Sequence, residues 1–246
     1  MRPAALPIQA GAPAATGHRP VTFTHSSPYF VALFLIALVA FWPSYLSQVA
    51  SATGYVHLHA LTATLWMFVL IAQPVAILRR RLDLHRLVGR SSYAVAPMVV
   101  VSMVLLAHSK TPRDGSVDSL GVYVPLSLAA LFGLSYACAI LTRRRVVLHA
   151  RFMVCTALTL IDPVFIRLLL WANPNPRVLH QWWTFALTDL VLLILIWRER
   201  HARSGRLVFP IMLALFVSAQ LVLLLGLYEV PFWAAFVRWF LALPLT

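Results

Sequence analysis

Acidic residues are scarce in this chain. Asp and Glu number 7 among 246 residues, against 20 Lys and Arg, and charged residues of both signs make up only 11%. Cysteine is rarer still, at 2. That excludes a disulfide framework, a zinc finger and a CxxC redox pair, and leaves Cys138 and Cys155 as small packing residues inside apolar segments. There is no nucleophile elbow, P-loop, HExxH or GxGxxG, which argues against hydrolase, NTPase and soluble-dehydrogenase chemistry. Alternating strand patterns with turn spacing are also lacking, so a membrane barrel is not indicated.

Apolar residues are present in abundance. They make up 61% of the chain, and the mean hydropathy is +0.83. Seven runs of roughly 18–25 mostly apolar residues each reach bilayer-crossing length. They fall at about 28–48, 57–78, 91–107, 120–141, 146–171, 179–197 and 207–228. The expected architecture is all-α, a polytopic membrane bundle of seven transmembrane helices plus a short C-terminal interfacial helix. The expected organisation is a disordered tail rich in Ala and Pro over 1–27, a transmembrane domain over 28–229, and an interfacial segment over 230–246.

The net charge of +13 does not point to nucleic acid, because the arginines are confined to short loops between spans. Arg79, Arg80, Arg81, Arg86 and Arg90 fall in one loop. Arg143, Arg144, Arg145 and Arg151 fall in a second, and Arg198, Arg200, Arg203 and Arg206 in a third. The alternate loops hold only Lys110, Arg113 and Arg177. Arginine-rich loops stay on the cytoplasmic side. The regular alternation therefore predicts a bacterial inner-membrane protein with its N-terminus cytoplasmic and its C-terminus periplasmic.

With that topology the histidines sort into two levels. His57, His59, His108 and His180 come at the outer ends of spans, and His85 and His149 at the inner ends. His201 lies in a solvated charge run and is set aside, as are His18 and His25 in the tail. Histidines from different helices at one depth are what a bundle needs to hold a metal or a haem. On the second span His59, Trp66 and Gln73 recur every seven residues and share one face, while His57 points about 160° away at about 100° per residue. A Gln as deep as Gln73 should face protein rather than lipid. Two acids, Asp162 and Asp189, lie near the middle of spans, and intramembrane acids are functional candidates. Arg167 is the one cation inside a span. It stands about 140° from Asp162 on the same helix, so its expected partner is Asp189 or a cofactor carboxylate. His149 and Arg167, eighteen residues apart, share a face on a regular helix.

The run Phe41-Trp42-Pro43-Ser44-Tyr45, the pair His57-x-His59, Gln73-Pro74, Leu84-His85-Arg86-x-x-Gly89, His149-x-Arg151-Phe152-Met153 and the later Arg167 together resemble a group of uncharacterised bacterial multi-spanning membrane proteins. The likeness covers about residues 41–170. It implies the helical fold and gives weight to these positions without naming a reaction. A looser likeness is to the two-haem transmembrane b-type cytochromes, in which histidines of paired helices form one haem site toward each membrane face. Here the histidines sit at span ends rather than a turn or two inside, and the outer level holds more of them than one haem needs.

The leading expectation is a membrane protein that binds haem b or a transition metal and takes part in electron transfer or a membrane redox reaction. A quinone or a redox partner protein would serve it beside the lipid bilayer. His59 and His180, helped by His57 or His108, are the expected outer metal ligands. His85 and His149 are the expected inner ligands, with Arg86, Arg151 and Arg167 as anchors for cofactor carboxylates. The alternatives are a proton-coupled transporter relaying through Asp162, Asp189 and Gln73, with Arg167, and a non-catalytic membrane subunit or assembly factor.

Overall fold

The structure is a computed structural model that describes residues 23–111, 119–173 and 177–246. Its regular elements are all helical. In chain order they are α1 (Ser27–Ala40), α2 (Gly54–Leu78), α3 (Leu82–Lys110), α4 (Ser119–Leu141), α5 (Val146–Leu158), α6 (Ile161–Ala172), α7 (Arg177–Glu199), α8 (Val208–Leu224) and α9 (Pro231–Ala242). Short 3-10 turns cover Phe23–His25, Leu46–Ser51 and Leu227–Glu229. Six segments are long and apolar enough to cross a membrane, and α5 and α6 together form one of them, Val146–Ala172. The α8 helix is apolar but has 17 residues, a length of about 26 Å against a hydrocarbon core of about 30 Å. The protein is thus a multi-pass helical membrane protein with six long apolar segments and a shorter seventh.

The polarity pattern suits lipid. Large apolar side chains point outward, among them Leu61, Phe68, Val101, Leu193 and Leu224. The contacts between helices are rich in small and hydroxyl side chains such as Ser92, Ala96, Ser102, Ala129, Ser135, Ala139, Thr156 and Ala157, all buried. Small residues let helix backbones approach closely where lipid removes the hydrophobic drive. The centre is Trp66 on α2, which is 0% exposed. It meets the rings of Phe132 and Tyr136 on α4 edge-on, at 5.0 and 5.4 Å between centroids.

Several boundaries differ from the sequence expectation. The α3 helix starts nine residues before 91, so His85, Arg86 and Arg90 lie on its first turns and not in a loop. Residues 23–27, assigned to a disordered tail, fold against the bundle with Ser26 and Ser27 buried. His18 lies outside the described residues. The fifth span is interrupted at Thr159–Leu160, just before Asp162-Pro163, where a proline cannot supply the next backbone donor. His149 and Arg167 therefore do not share a face. His149 turns to α4, and Arg167 turns to Phe41, just past α1. The α9 helix does more than lie in the interface. Val237 and Phe240 pack with Val122 of α4, and the Trp233 indole donates to the Ser119 carbonyl at 3.2 Å, while Phe232 and Trp239 stay exposed.

Removing the Trp66 ring leaves a void that the surrounding helices cannot collapse into. Trp66→Ala should cost about 3–5 kcal/mol. Trp183→Ala, on a side chain that is 62% exposed, should cost little. Denaturant unfolding in mixed micelles reads both.

Candidate functional site

The arginine-rich connections converge at one end of the bundle. A cavity of about 490 Å³ lies there, lined by α2, α3, α4, α5 and the turn at Phe23–His25. His85 and Arg86 of α3 and His149 and Arg151 of α5, four of the five residues expected at the inner site, all line it. The fifth, Arg167, does not. The walls are apolar, with Leu70, Ile77, Ile140, Val147, Met153 and Val154. Arg86, Arg90 and Arg143 line it too and are exposed.

The two histidines are held differently. The Nδ1 of His149 lies 2.9 Å from the Ala139 carbonyl. A carbonyl only accepts, so Nδ1 carries the proton and Nε2 keeps its lone pair. The Nδ1 of His85 is buried without a partner. Both residues line the same cavity. Gln73 of α2 donates from Nε2 to the His85 carbonyl at 3.3 Å, leaving its Oε1 buried without a partner. Gln73 therefore faces protein, as expected for its depth, on the same stripe as buried Trp66. The Tyr136 hydroxyl donates to Ser92 Oγ at 2.9 Å, because the Ser92 proton is engaged by the Gly89 carbonyl.

Arg151 corrects the expected anchor role. Its Nε makes a buried ion pair with Glu199 Oε2 of α7 at 2.5 Å, and its Nη1 donates to the Val147 carbonyl at 2.8 Å. Only Nη2 lacks a partner. With its charge neutralised by Glu199, Arg151 ties α5 to α7 rather than offering a free cation. Gly205 completes this clamp. Its φ is +76°, and a Cβ there would stand 3.0 Å from Arg151 Nη1, so both the backbone and the contact favour glycine. Glu199 was missed because it sits in the run Arg198-Glu199-Arg200-His201, which reads as solvated. The signal was periodicity. Thr184, Thr188, Leu192 and Glu199 are buried at helical spacing along α7, so the seven-residue step from Leu192 places Glu199 inward.

The outer histidines have separate partners. His57 Nδ1 meets the Tyr45 hydroxyl at 3.0 Å, and His59 Nδ1 meets Ser102 Oγ at 3.1 Å. His108 Nδ1 meets Thr246 Oγ1 at 2.7 Å and the Phe240 ring edge-on. His180 is buried, and its Nδ1 has no partner. Among the described residues no group of three or more His, Cys, Asp or Glu side chains is placed to hold a metal ion.

The midplane acids are apart as well. Asp162 accepts from Gln181 Nε2 at 2.7 Å and from the Thr184 hydroxyl. Asp189 accepts from Gln220 Nε2 at 3.0 Å. Arg167 pairs with neither, since the ion pairs among the described residues are Arg81–Asp83 and Arg151–Glu199.

Breaking the buried clamp from one side strands a charge. Glu199→Ala or Arg151→Ala alone should cost about 3–5 kcal/mol. The double replacement Arg151→Met with Glu199→Leu should recover much of that loss, as read from unfolding midpoints in detergent. No family model matches the chain, and neither a curated protein nor a solved structure gives a match.

Proposed function

We propose that the protein holds haem b in the arginine-rich cavity, where His85 and His149 would hold the iron, and serves electron transfer in the bacterial inner membrane. The observation that carries this reading is the meeting of two histidines from different helices in one mostly apolar cavity of about 490 Å³. A bare transition metal wants three or more protein ligands, whereas a haem needs two. His149 offers Nε2, and His85 offers a nitrogen with no other partner. The Ala139 carbonyl fixes the orientation of the His149 ring in the way that second-sphere partners orient ligating histidines. Arg86, Arg90 and Arg143 suit the two propionates, and this assigns that role away from Arg151. When bound, the haem supplies one-electron chemistry, and a quinone or a redox protein is its partner in this reading. The apolar walls keep water from the group, and Gln73 holds the α3 backbone at His85.

A second reading, a proton-coupled transporter, draws on one observation. A void of about 20 Å³ is lined by both Asp162 and Gln220, and Gln220 holds Asp189. That is room for one water between Asp162 and the glutamine that holds Asp189.

The visible spectrum of the detergent-purified protein separates them. The haem reading expects a Soret band that shifts on reduction, is lost in His85→Ala and in His149→Ala, and is kept in His180→Ala. A colourless preparation, or a spectrum unmoved by both inner replacements, sinks it. The orientation is checked separately. Seven crossings place alkaline phosphatase fused at the C-terminus in the periplasm, where it is active; an inactive fusion would show that α8 does not cross.

A further inference from the structure

Arg167 carries a charge inside the membrane with no counter-ion in contact. It lies on α6, five residues before Ala172, at the end of the bundle opposite the arginine-rich one. An arginine near a helix end ordinarily reaches outward to the headgroups. This one does the reverse: its Nη1 donates to the Pro163 carbonyl at 2.7 Å, four residues back and deeper in the bundle. One face of the guanidinium lies on the Phe41 ring, 4.2 Å from its centroid. No carboxylate oxygen of the described residues is within 4.0 Å. The charge of Asp162 reaches Arg167, but the Oδ1 of Asp162 is held by Gln181 and Thr184.

One face and one nitrogen of the guanidinium are thus engaged. The edge made by Nε and Nη2 is not. Those two N–H groups are parallel and spaced to match the two oxygens of a carboxylate. A phosphate would carry more charge than one arginine balances. A bare halide would use only one point of a two-point fork.

We infer that Arg167, backed by Phe41, binds the carboxylate of a small monocarboxylic acid with an apolar body, in the half of the bundle opposite the His85–His149 cavity. The site is independent of haem and stands whether or not the inner cavity holds one.

Benzoate is a suitable probe, with the full chain in detergent and the unfolding midpoint as readout, against chloride at equal ionic strength. The expected result is a saturable rise with benzoate that chloride and phosphate do not give. It should vanish in Arg167→Gln and persist in Arg79→Gln at the other end. Arg167→Lys keeps the charge and loses the fork, so the apparent affinity should fall at least about tenfold. If Arg167→Gln does not fold, the lysine variant decides alone. No rise beyond chloride overturns the site and leaves Arg167 as a distant counter-charge to Asp162. A rise unchanged in Arg167→Gln or in Arg167→Lys also overturns it, and assigns the binding to surface arginines.

Discussion

Hydrocarbon offers no hydrogen bonds, so each polar group within the bundle must find its partner in the chain itself. Most do so in a recognisable way. Serine and threonine hydroxyls return to carbonyls three or four residues back, as at Thr62, Ser135, Thr156 and Thr188. Each midplane acid takes the amide of a glutamine on a neighbouring helix. Among the described residues the one buried ion pair, Arg151–Glu199, joins two helices and is wrapped by a glycine that leaves it room. Atoms left over are few. Gln73 Oε1, His85 Nδ1 and Arg151 Nη2 belong to residues that line one cavity, while Trp66 Nε1, His180 Nδ1 and Glu199 Oε1 belong to residues that do not.

Much of this was readable from the chain. The apolar runs gave the helices, because length against bilayer thickness is a strong constraint. The alternation of arginine loops put them at one end of the bundle, and the meeting of Arg86, Arg143 and Arg151 at one cavity agrees with that grouping. The seven-residue stripe through His59, Trp66 and Gln73 faces protein along its whole length, since period and polarity agreed there. The grouping of His85 with His149 came from depth alone, and depth was enough because both flank arginine-rich turns.

What was not readable depended on contacts between distant segments. Four outer histidines at one level looked like a ligand set, but level says nothing of azimuth, and Tyr45, Ser102 and Thr246 each take a different ring. The common face of His149 and Arg167 assumed an unbroken helix, and Asp162-Pro163 breaks it. Glu199 was hidden by the arginines around it. Charge runs are solvated on average, but the average does not hold for a residue that helical phase turns inward.

The first described turn has a consequence for the order of assembly. Phe23 lines the cavity and stands edge-on to Phe209 of α8 at 5.9 Å between ring centroids. These two rings are about three quarters of the chain's length apart, and a contact of that separation forms late. During synthesis the earliest helix enters the membrane while its partner has not yet been made. The ring that Phe23 gives to the cavity thus gains its α8 partner only after the helices that line the cavity have all been made.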